Sequence, residues 1–129
     1  MKIYLDIDGV ILASDQKIAN YSKEFIKHIV KNHEVYWLTT HCRGNALSTI
    51  DFLKEFFDQD TIKYIEKIKE TYWEVNKTEA IDFSKPFLWF DDDLFEEERE
   101  VLTKNNCLNS WVEINLYKDE NQLKNYLKI

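Results

Sequence analysis

The chain of 129 residues carries 24 acidic and 17 basic residues, and a molecule with a net charge of −7 repels nucleic acid and anionic membranes unless it has a local basic patch. This length, with 44% hydrophobic residues, predicts one globular domain with a substantial core and no second domain. The sequence has no long apolar run, and its two cysteines are far apart, which predicts a soluble cytoplasmic protein with no membrane partner and no disulfide framework.

The first half of the chain alternates strands with helices. Residues 2–6 form an apolar run that predicts a first strand, and the apolar spacing over residues 18–30 predicts a helix with one buried face. Residues 35–38 are apolar without alternation, which is typical of a parallel strand covered on both sides. Asn45 is a suitable N-cap for a second helix that we expect to extend to Phe57.

The second half continues the same alternation. Residues 61–72 have helical spacing, and we predict a helix there, although their β-branched residues would also permit a strand. Asp93 and Glu96 form an Asp-x-x-Glu capping box at the start of a predicted helix. The remaining predicted elements are a strand over 87–90, that helix over 94–104, a strand over 111–116 and a helix over 119–128.

This order of elements predicts an α/β fold, a single three-layer α/β/α Rossmann-like domain with a mainly parallel sheet. Ligands of such folds bind at the carboxyl ends of the strands, and three predicted strands end there in polar segments, 6–8, 39–43 and 91–93. Carboxylates gathered at one edge repel each other unless a hard cation lies among them, and Mg²⁺ prefers oxygen ligands. The alternative is that each acidic segment is only a solvated turn.

Four stretches of the sequence, taken in order, resemble the motifs of the haloacid dehalogenase (HAD) superfamily. They are "DIDGV" after the first strand, "YWLTT" in the second, the lysine of "NKTEA", and "FLWFDDD" in a late strand. The resemblance covers the chain from about Lys2 to Arg99. It implies a HAD-like fold and a Mg²⁺-dependent phosphatase that forms an aspartyl-phosphate. The short spans between the motifs leave no room for an inserted cap domain.

The resemblance also implies a role for each matched residue. Asp6 would be the nucleophile, and Asp8 would protonate the leaving oxygen and then activate water, while its backbone carbonyl helps to hold the metal. Gly9 would allow a tight turn and leave space beside the reacting group. Thr39 and Lys77 would hold the phosphoryl oxygens in the transition state.

The predicted metal ligands are acids of the first and the late motif. Asp6 and Asp8 come from the first motif, and from the late motif the resemblance favours Asp92, with Asp91 next. Asp93 is assigned mainly to the helix cap.

Several positions keep an alternative. Lys85 is the fallback for Lys77 as the phosphate-binding lysine. Thr40 replaces Thr39 if the strand ends one residue later. Arg43 follows the second motif and either binds a further anionic group of the substrate or pairs with a surface carboxylate.

Other residues near the motifs are expected to be structural. Cys42 is interpreted as a small buried hydrophobe, and Trp37 and Trp89 as core residues within strands. His41 should lie near the substrate. Trp73, in a less regular stretch, is the one tryptophan expected as a contact at the rim of the site.

A capless site would be open, which suits a bulky phosphorylated substrate such as a protein or a nucleic-acid end, unless a second subunit serves as the lid. Two other classes compete with a phosphatase. A metal-dependent nuclease of PIN or Toprim type also gathers acids at the edge of a parallel sheet, but it would leave Thr39 and Lys77 without a role. A phosphate-binding or partner-binding module with this fold would have lost turnover.

Overall fold

The computed structural model describes all 129 residues and contains a sheet of four strands, all parallel. The order across the sheet is β2-β1-β3-β4, and β1 lies between β2 and β3. The strands are β1 (Lys2–Leu5), β2 (Glu34–Trp37), β3 (Phe87–Asp91) and β4 (Trp111–Glu113). The predicted α/β class with a parallel sheet is confirmed, and the arrangement is compatible with a Rossmann-like fold.

Four α-helices and three short 3₁₀ helices connect and cover the strands. The α-helices are α1 (Ser22–Asn32), α2 (Ala46–Leu53), α3 (Gln59–Ile65) and α4 (Glu96–Lys104). The 3₁₀ helices span Lys77–Ala80, Leu108–Ser110 and Gln122–Tyr126. Asn45 caps α2 as predicted, because its side chain accepts hydrogen bonds from two backbone N–H groups of the first turn. None of the helices combines the length and the apolar character needed to cross a bilayer.

The sheet is buried on both faces. Ile3 and Leu5 of β1 belong to the larger hydrophobic cluster, whereas Tyr4 between them belongs to the smaller one on the opposite face. The larger cluster contains apolar residues of α1, α2 and α3, and the smaller one contains Leu102 of α4. Cys42 is fully buried in the larger cluster, as expected of a small hydrophobe.

The segment 61–72 is helical in its first part only and does not form the single helix predicted for it. Helix α3 ends at Ile65, and Lys69 then forms a parallel bridge with Tyr36 on the outer side of β2. The Lys69 carbonyl accepts from the Trp37 N–H at 2.8 Å, and the Lys69 N–H donates to the Val35 carbonyl at 3.0 Å. The predicted single helix is therefore wrong for its second half, which forms an isolated parallel bridge at the edge of β2.

The predicted capping box of Asp93 and Glu96 is wrong. Helix α4 begins two residues later than predicted, at Glu96, and Phe95 is its N-cap. The residue at the third helical position is Glu98, whose carboxylate accepts from the Phe95 N–H at 3.1 Å. Asp93 instead accepts from the N–H of Leu94 at 2.9 Å.

The predicted C-terminal helix over 119–128 is a shorter 3₁₀ helix, Gln122–Tyr126. Strand β4 also ends earlier than predicted, at Glu113. The Gln122 side-chain amide occupies the end of β4, where it donates to the Glu113 carbonyl at 2.6 Å and accepts from the Asn115 N–H at 2.7 Å.

Candidate functional site

The carboxyl ends of the two central strands place two acids side by side. β1 and β3 pair with Leu5 opposite Phe90, and the Asp6 N–H donates to the Phe90 carbonyl at 3.0 Å, so Asp6 and Asp91 end neighbouring strands. Both residues are buried, with 6% and 1% of their surface exposed. The convergence expected from the sequence is therefore present for the first and the late acidic segments.

Three carboxylates are close enough to share one cation. Asp6, Asp91 and Asp92 each contribute an oxygen within 4.8 Å of the other two. The donor set consists of carboxylate oxygens, which is the chemistry that Mg²⁺ prefers. Exposed acidic groups often cluster without a metal, but two of these three are buried, where an uncompensated negative charge is costly.

Lys77 already neutralises part of this charge. Its Nζ lies 2.7 Å from Asp91 Oδ2 and 3.5 Å from Asp6 Oδ1, and its side chain is only 15% exposed. Lys77 begins the 3₁₀ helix that packs beside α4, which brings a residue from a loop to the sheet edge. The alternative, Lys85, is exposed and precedes β3, at the opposite end of that strand from the acids.

Asp91 is held by donors on both of its oxygens. Oδ1 accepts from the N–H groups of Asp92 at 2.8 Å and Asp93 at 3.3 Å. Oδ2 accepts from Lys77 Nζ and from the indole N–H of Trp89 at 3.1 Å. Four donors use the accepting capacity of one carboxylate, so Asp91 is fixed in position, whereas the Asp92 carboxylate has more freedom to bind a cation.

The crowding of acids raises their pKa values. Burial, and then the nearby charge of Asp6, raises the pKa of Asp91 to about 7. Partial burial and a hydrogen bond with Asp91 raise the pKa of Asp92 to about 6. Burial also raises the pKa of Asp6, although the charge of Lys77 opposes this. A divalent cation in the cluster would favour the charged forms of all three.

The charge of Lys77 is stabilised in return. Burial lowers the pKa of its ammonium, but the charges of Asp6 and Asp91 outweigh this, so the pKa is raised above its usual value. Lys77 therefore remains a cation beside the carboxylates of Asp6 and Asp91.

Asp8 does not reach this cluster with its side chain. Its carboxylate is 68% exposed and lies 2.7 Å from His41 Nε2, and the His41 ring stacks on Phe52 at a centroid distance of 4.3 Å. The sequence predicted His41 near the substrate but gave no sign of this pairing, since the two residues are 33 positions apart. Asp8 and Asp6 therefore occupy different environments in spite of their adjacent motif positions.

The backbone of Gly9 lies against the side chain of Asp92. Its φ of +80° lies in the left-handed region, and a Cβ built on it would lie 2.6 Å from Asp92 Cγ. A side chain at this position would force the Asp92 carboxylate to move and would also be strained by the left-handed φ, so a glycine lets the turn after Asp8 pack against Asp92 as it stands.

The threonines that follow β2 lie beside the acids. Thr39 is fully buried, and its hydroxyl oxygen accepts from the His41 N–H at 3.3 Å. Burial raises the pKa of Asp6, and the Thr39 hydroxyl is among the groups that oppose this. Thr40 lines the cavity above the acids. The structure thus brings both alternatives to the site, each in a different position.

Arg43 lies away from the acids. Its guanidinium stacks on the ring of Trp73 at 4.1 Å. Trp73 itself is buried and forms part of the cavity wall, so Arg43 reaches the site only through this ring.

The sequence did not identify Glu98, which is buried and connects the site to α4. Its Oε2 accepts from the Lys77 N–H at 2.9 Å, so the carboxylate that caps α4 also fixes the backbone of the site lysine. Burial raises its pKa. Glu98 is the last of three consecutive glutamates, 96–98, and only its position three residues after the N-cap distinguishes it from the other two.

These residues surround a cavity of about 220 Å³. Its walls are Asp6, Asp8, Thr40, Trp73, Val75, Lys77, Asp91, Asp92, Asp93, Phe95 and Glu98. The cavity therefore combines buried carboxylates, a buried cation and the hydroxyl of Thr40 at the carboxyl edge of the sheet, which is the region where parallel α/β sheets bind ligands. Comparisons with protein-family models, with curated proteins and with solved structures return no match for this chain.

Proposed function

We propose that the protein is a Mg²⁺-dependent phosphomonoester phosphatase of the HAD type, with a Rossmann-like domain and no cap, in which Asp6 is the nucleophile. The observation that carries the proposal is the ammonium of Lys77 beside the buried carboxylates of Asp6 and Asp91. A carboxylate nucleophile needs nearby positive charge to admit a phosphoryl group, and a fixed lysine supplies it.

In the proposed reaction, an Asp6 oxygen attacks phosphorus and the bond from phosphorus to the leaving oxygen breaks. Asp8 donates a proton to that oxygen and then accepts one from the water that hydrolyses the aspartyl-phosphate. For both steps the Asp8 side chain must turn from His41 toward the cavity, which its exposure permits. Lys77 and the threonine hydroxyls hold the phosphoryl oxygens.

Asp6 and Asp92, together with the Asp8 carbonyl that the resemblance implies, would hold Mg²⁺. The ion would neutralise part of the negative charge on the phosphoryl oxygens. Asp91, whose oxygens are already held by four donors, would fix Lys77 and the chain at Asp92.

The geometry supports a phosphatase better than the two rival classes. A nuclease that uses metal-bound water gives no role to a lysine fixed between two of its carboxylates, whereas a phosphatase uses such a cation to hold phosphoryl oxygens. A silent binding module would not need a carboxylate in the centre of an anion site, because the negative charge of Asp6 weakens the binding of phosphate.

The test is hydrolysis of an aryl phosphate by the purified protein with Mg²⁺, with EDTA, with Ca²⁺, and as Asp6→Asn. We expect turnover only with Mg²⁺ and the intact Asp6, and a loss of roughly 10³-fold or more in Asp6→Asn, because the nucleophile is removed. Ca²⁺ should inhibit, since its larger coordination number engages the attacking carboxylate. Asp60→Asn, a change of an exposed acid outside the site, is the matched control.

Two results would contradict the proposal. Activity retained by Asp6→Asn would exclude Asp6 as the nucleophile. Mg²⁺-dependent cleavage of nucleic acid without a phosphorylated form of Asp6, as judged by intact-protein mass and by trapping with beryllium fluoride, would favour the nuclease.

A further inference from the structure

A second cavity lies directly beside the acid cavity. It encloses about 310 Å³, and it shares Asp8 and Asp92 with the first cavity. Its other walls come from the loop after β1, at Ala13 and Ser14, and from the chain that follows β4, at residues 114–117. The two cavities therefore meet at the carboxylate that the proposed function makes the proton donor.

Both walls are held by hydrogen bonds, so the cavity is largely preformed. In the loop after β1, the Ala13 N–H donates to the Lys17 carbonyl at 2.8 Å and the Gly9 N–H donates to the Leu12 carbonyl at 2.8 Å. The opposite wall is fixed where the Ile114 N–H donates to the Asp91 carbonyl at 2.9 Å. A site with fixed walls selects its ligand by shape and polarity.

The walls favour an uncharged apolar group. Ala13, Ile114, Leu116 and Tyr117 are apolar or aromatic, and the nine lining residues include no lysine, arginine or histidine. The charged residues are acids, which would repel a second anionic group of a substrate. Tyr117 is 87% exposed, so its ring is free to cover a ligand at the mouth of the cavity.

We propose that this second cavity receives the leaving group of the substrate, and that this group is an uncharged aromatic alcohol of the phenol type. This inference rests on the proposed phosphatase function. When the bond from phosphorus to oxygen breaks, phosphorus becomes bonded to Asp6, Asp8 gives its proton to the leaving oxygen, and a neutral phenol remains in the cavity. The leaving oxygen then lies at Asp8, where the two cavities join.

The size of the cavity agrees with such a group. A protein cavity of about 150 Å³ accommodates benzene. The 310 Å³ here therefore has room for one ring with substituents, or for two fused rings. A phenol of this kind is supplied by a free aryl phosphate or by a phosphotyrosine side chain, and the chemistry at Asp8 is the same for both.

The experiment compares kcat/KM for 2-naphthyl phosphate, a phosphotyrosine peptide, glycerol phosphate and acetyl phosphate with Mg²⁺. Acetyl phosphate has a small leaving group that needs no protonation, so it reports the reaction at Asp6 without the second cavity. We expect at least one of the two aryl esters to exceed glycerol phosphate by roughly 10-fold or more, through burial of the ring and through the lower pKa of the phenol. Variants of the cavity isolate the part that is due to burial. The better aryl ester identifies the source of the phenol.

Two variants test the cavity itself. Tyr117→Ser removes an exposed ring from its mouth, and Ala13→Phe fills it. Each should lower the ratio of aryl ester to acetyl phosphate kcat/KM by roughly 10-fold, through loss of apolar contact or of space. Tyr72→Ser removes another exposed tyrosine, which lines neither cavity, and should leave the ratio unchanged.

The failures of the two proposals are distinguishable. If acetyl phosphate is hydrolysed through Asp6 but neither aryl ester is preferred, or both cavity variants leave the ratio unchanged, the leaving-group assignment is overturned and the phosphatase function stands. If no phosphoryl donor reacts with Asp6, both proposals are overturned.

Discussion

The same kind of ion pair has different consequences in two regions of this molecule. Lys77 and Asp91 form a buried pair at the carboxyl edge of the sheet, 15% and 2% exposed, whereas Lys69 and Glu34 form an exposed pair at the amino end of β2, 57% and 44% exposed. Both pairs have a separation of 2.7 Å. Distance therefore does not determine what a pair contributes, because burial sets both the desolvation cost and the screening by salt.

The buried pair is part of a hydrogen-bond network at the candidate site, whereas the exposed pair lies outside that site. Asp91 has four donors, of which only Lys77 carries a charge, so removing Lys77 leaves a buried carboxylate without its counter-charge. Glu34 has solvent around it, and its pKa is lowered to about 2 mainly by the hydrogen bond from Lys69. Five substitutions can break or sharpen this comparison.

Lys77→Met should have the largest effect. It leaves Asp6 and Asp91 buried without their cation, and the loss of one partner of a buried pair costs about 3–5 kcal/mol in the free energy of unfolding at neutral pH. Urea unfolding with EDTA measures the loss. The double variant Lys77→Met, Asp91→Asn should recover part of it, and the absence of any recovery would show that the two charges are not coupled.

Asp91→Asn should change how stability depends on pH. The pKa of Asp91 is raised to about 7 in the folded protein, above its value of 3.8 in the unfolded chain, so the folded state binds more protons between these values. The contribution of Asp91 to the free energy of unfolding is therefore greatest below about pH 4 and declines as the pH rises to about 7. In the unsubstituted protein this decline amounts to up to about 4 kcal/mol. In Asp91→Asn this decline should be smaller. Unfolding series from pH 4 to 8 without divalent cations test it, and an identical decline in both proteins would contradict it.

Gly9→Ala and Gly44→Ala compare two glycines with similar backbone conformations, only one of which contacts an acid of the site. Both glycines have left-handed φ values, +80° and +83°, so each alanine costs about 1–2 kcal/mol of backbone strain. At Gly44 the nearest atom to a Cβ is 3.6 Å away, on Tyr72, whereas at Gly9 the Cβ would collide with the Asp92 carboxylate. We expect only Gly9→Ala to weaken Mg²⁺ binding, measured by calorimetry. Equal Mg²⁺ affinity in both variants would show that Asp92 is not a ligand of the metal.

Lys69→Met should have the smallest effect. It removes the exposed partner of Glu34, and we expect a small decrease in melting temperature at low salt that disappears near about 1 M salt, where screening acts within about 3 Å. A decrease as large as that of Lys77→Met would mean that burial does not distinguish the two pairs.

The parallel sheet and the acids at its edge were predictable from the sequence, because apolar runs followed by carboxylates carry a local signal. Lys77 was predicted only through the resemblance, since a lysine in a loop has no signal of its own. The Asp8–His41 pair and the role of Glu98 were not predicted. Both depend on how separate segments meet in space, and Glu98 has acidic neighbours that only its helix position distinguishes.

Element ends were predicted less well for a related reason. The segment 61–72 has residues suited to both helix and strand, and the edge of β2 draws Lys69 out of the helix through two backbone hydrogen bonds. The start of α4 was placed at Asp93 because the box pattern fits there, but Glu98 completes the same pattern from Phe95. In both segments two local structures were compatible with the sequence, and tertiary contacts determined which one formed.

The side chain of Gln122 has a consequence for how this protein behaves at high concentration. Its amide donates to Glu113 and accepts from Asn115, as one peptide group of a neighbouring strand would do at the end of β4. Lys69 performs the equivalent task beside Tyr36 at the other edge. A sheet edge with free N–H and C=O groups is a template on which further chains add. These two residues take up such groups at both edges, so Gln122→Ala should make the chain more prone to form aggregates rich in β-structure.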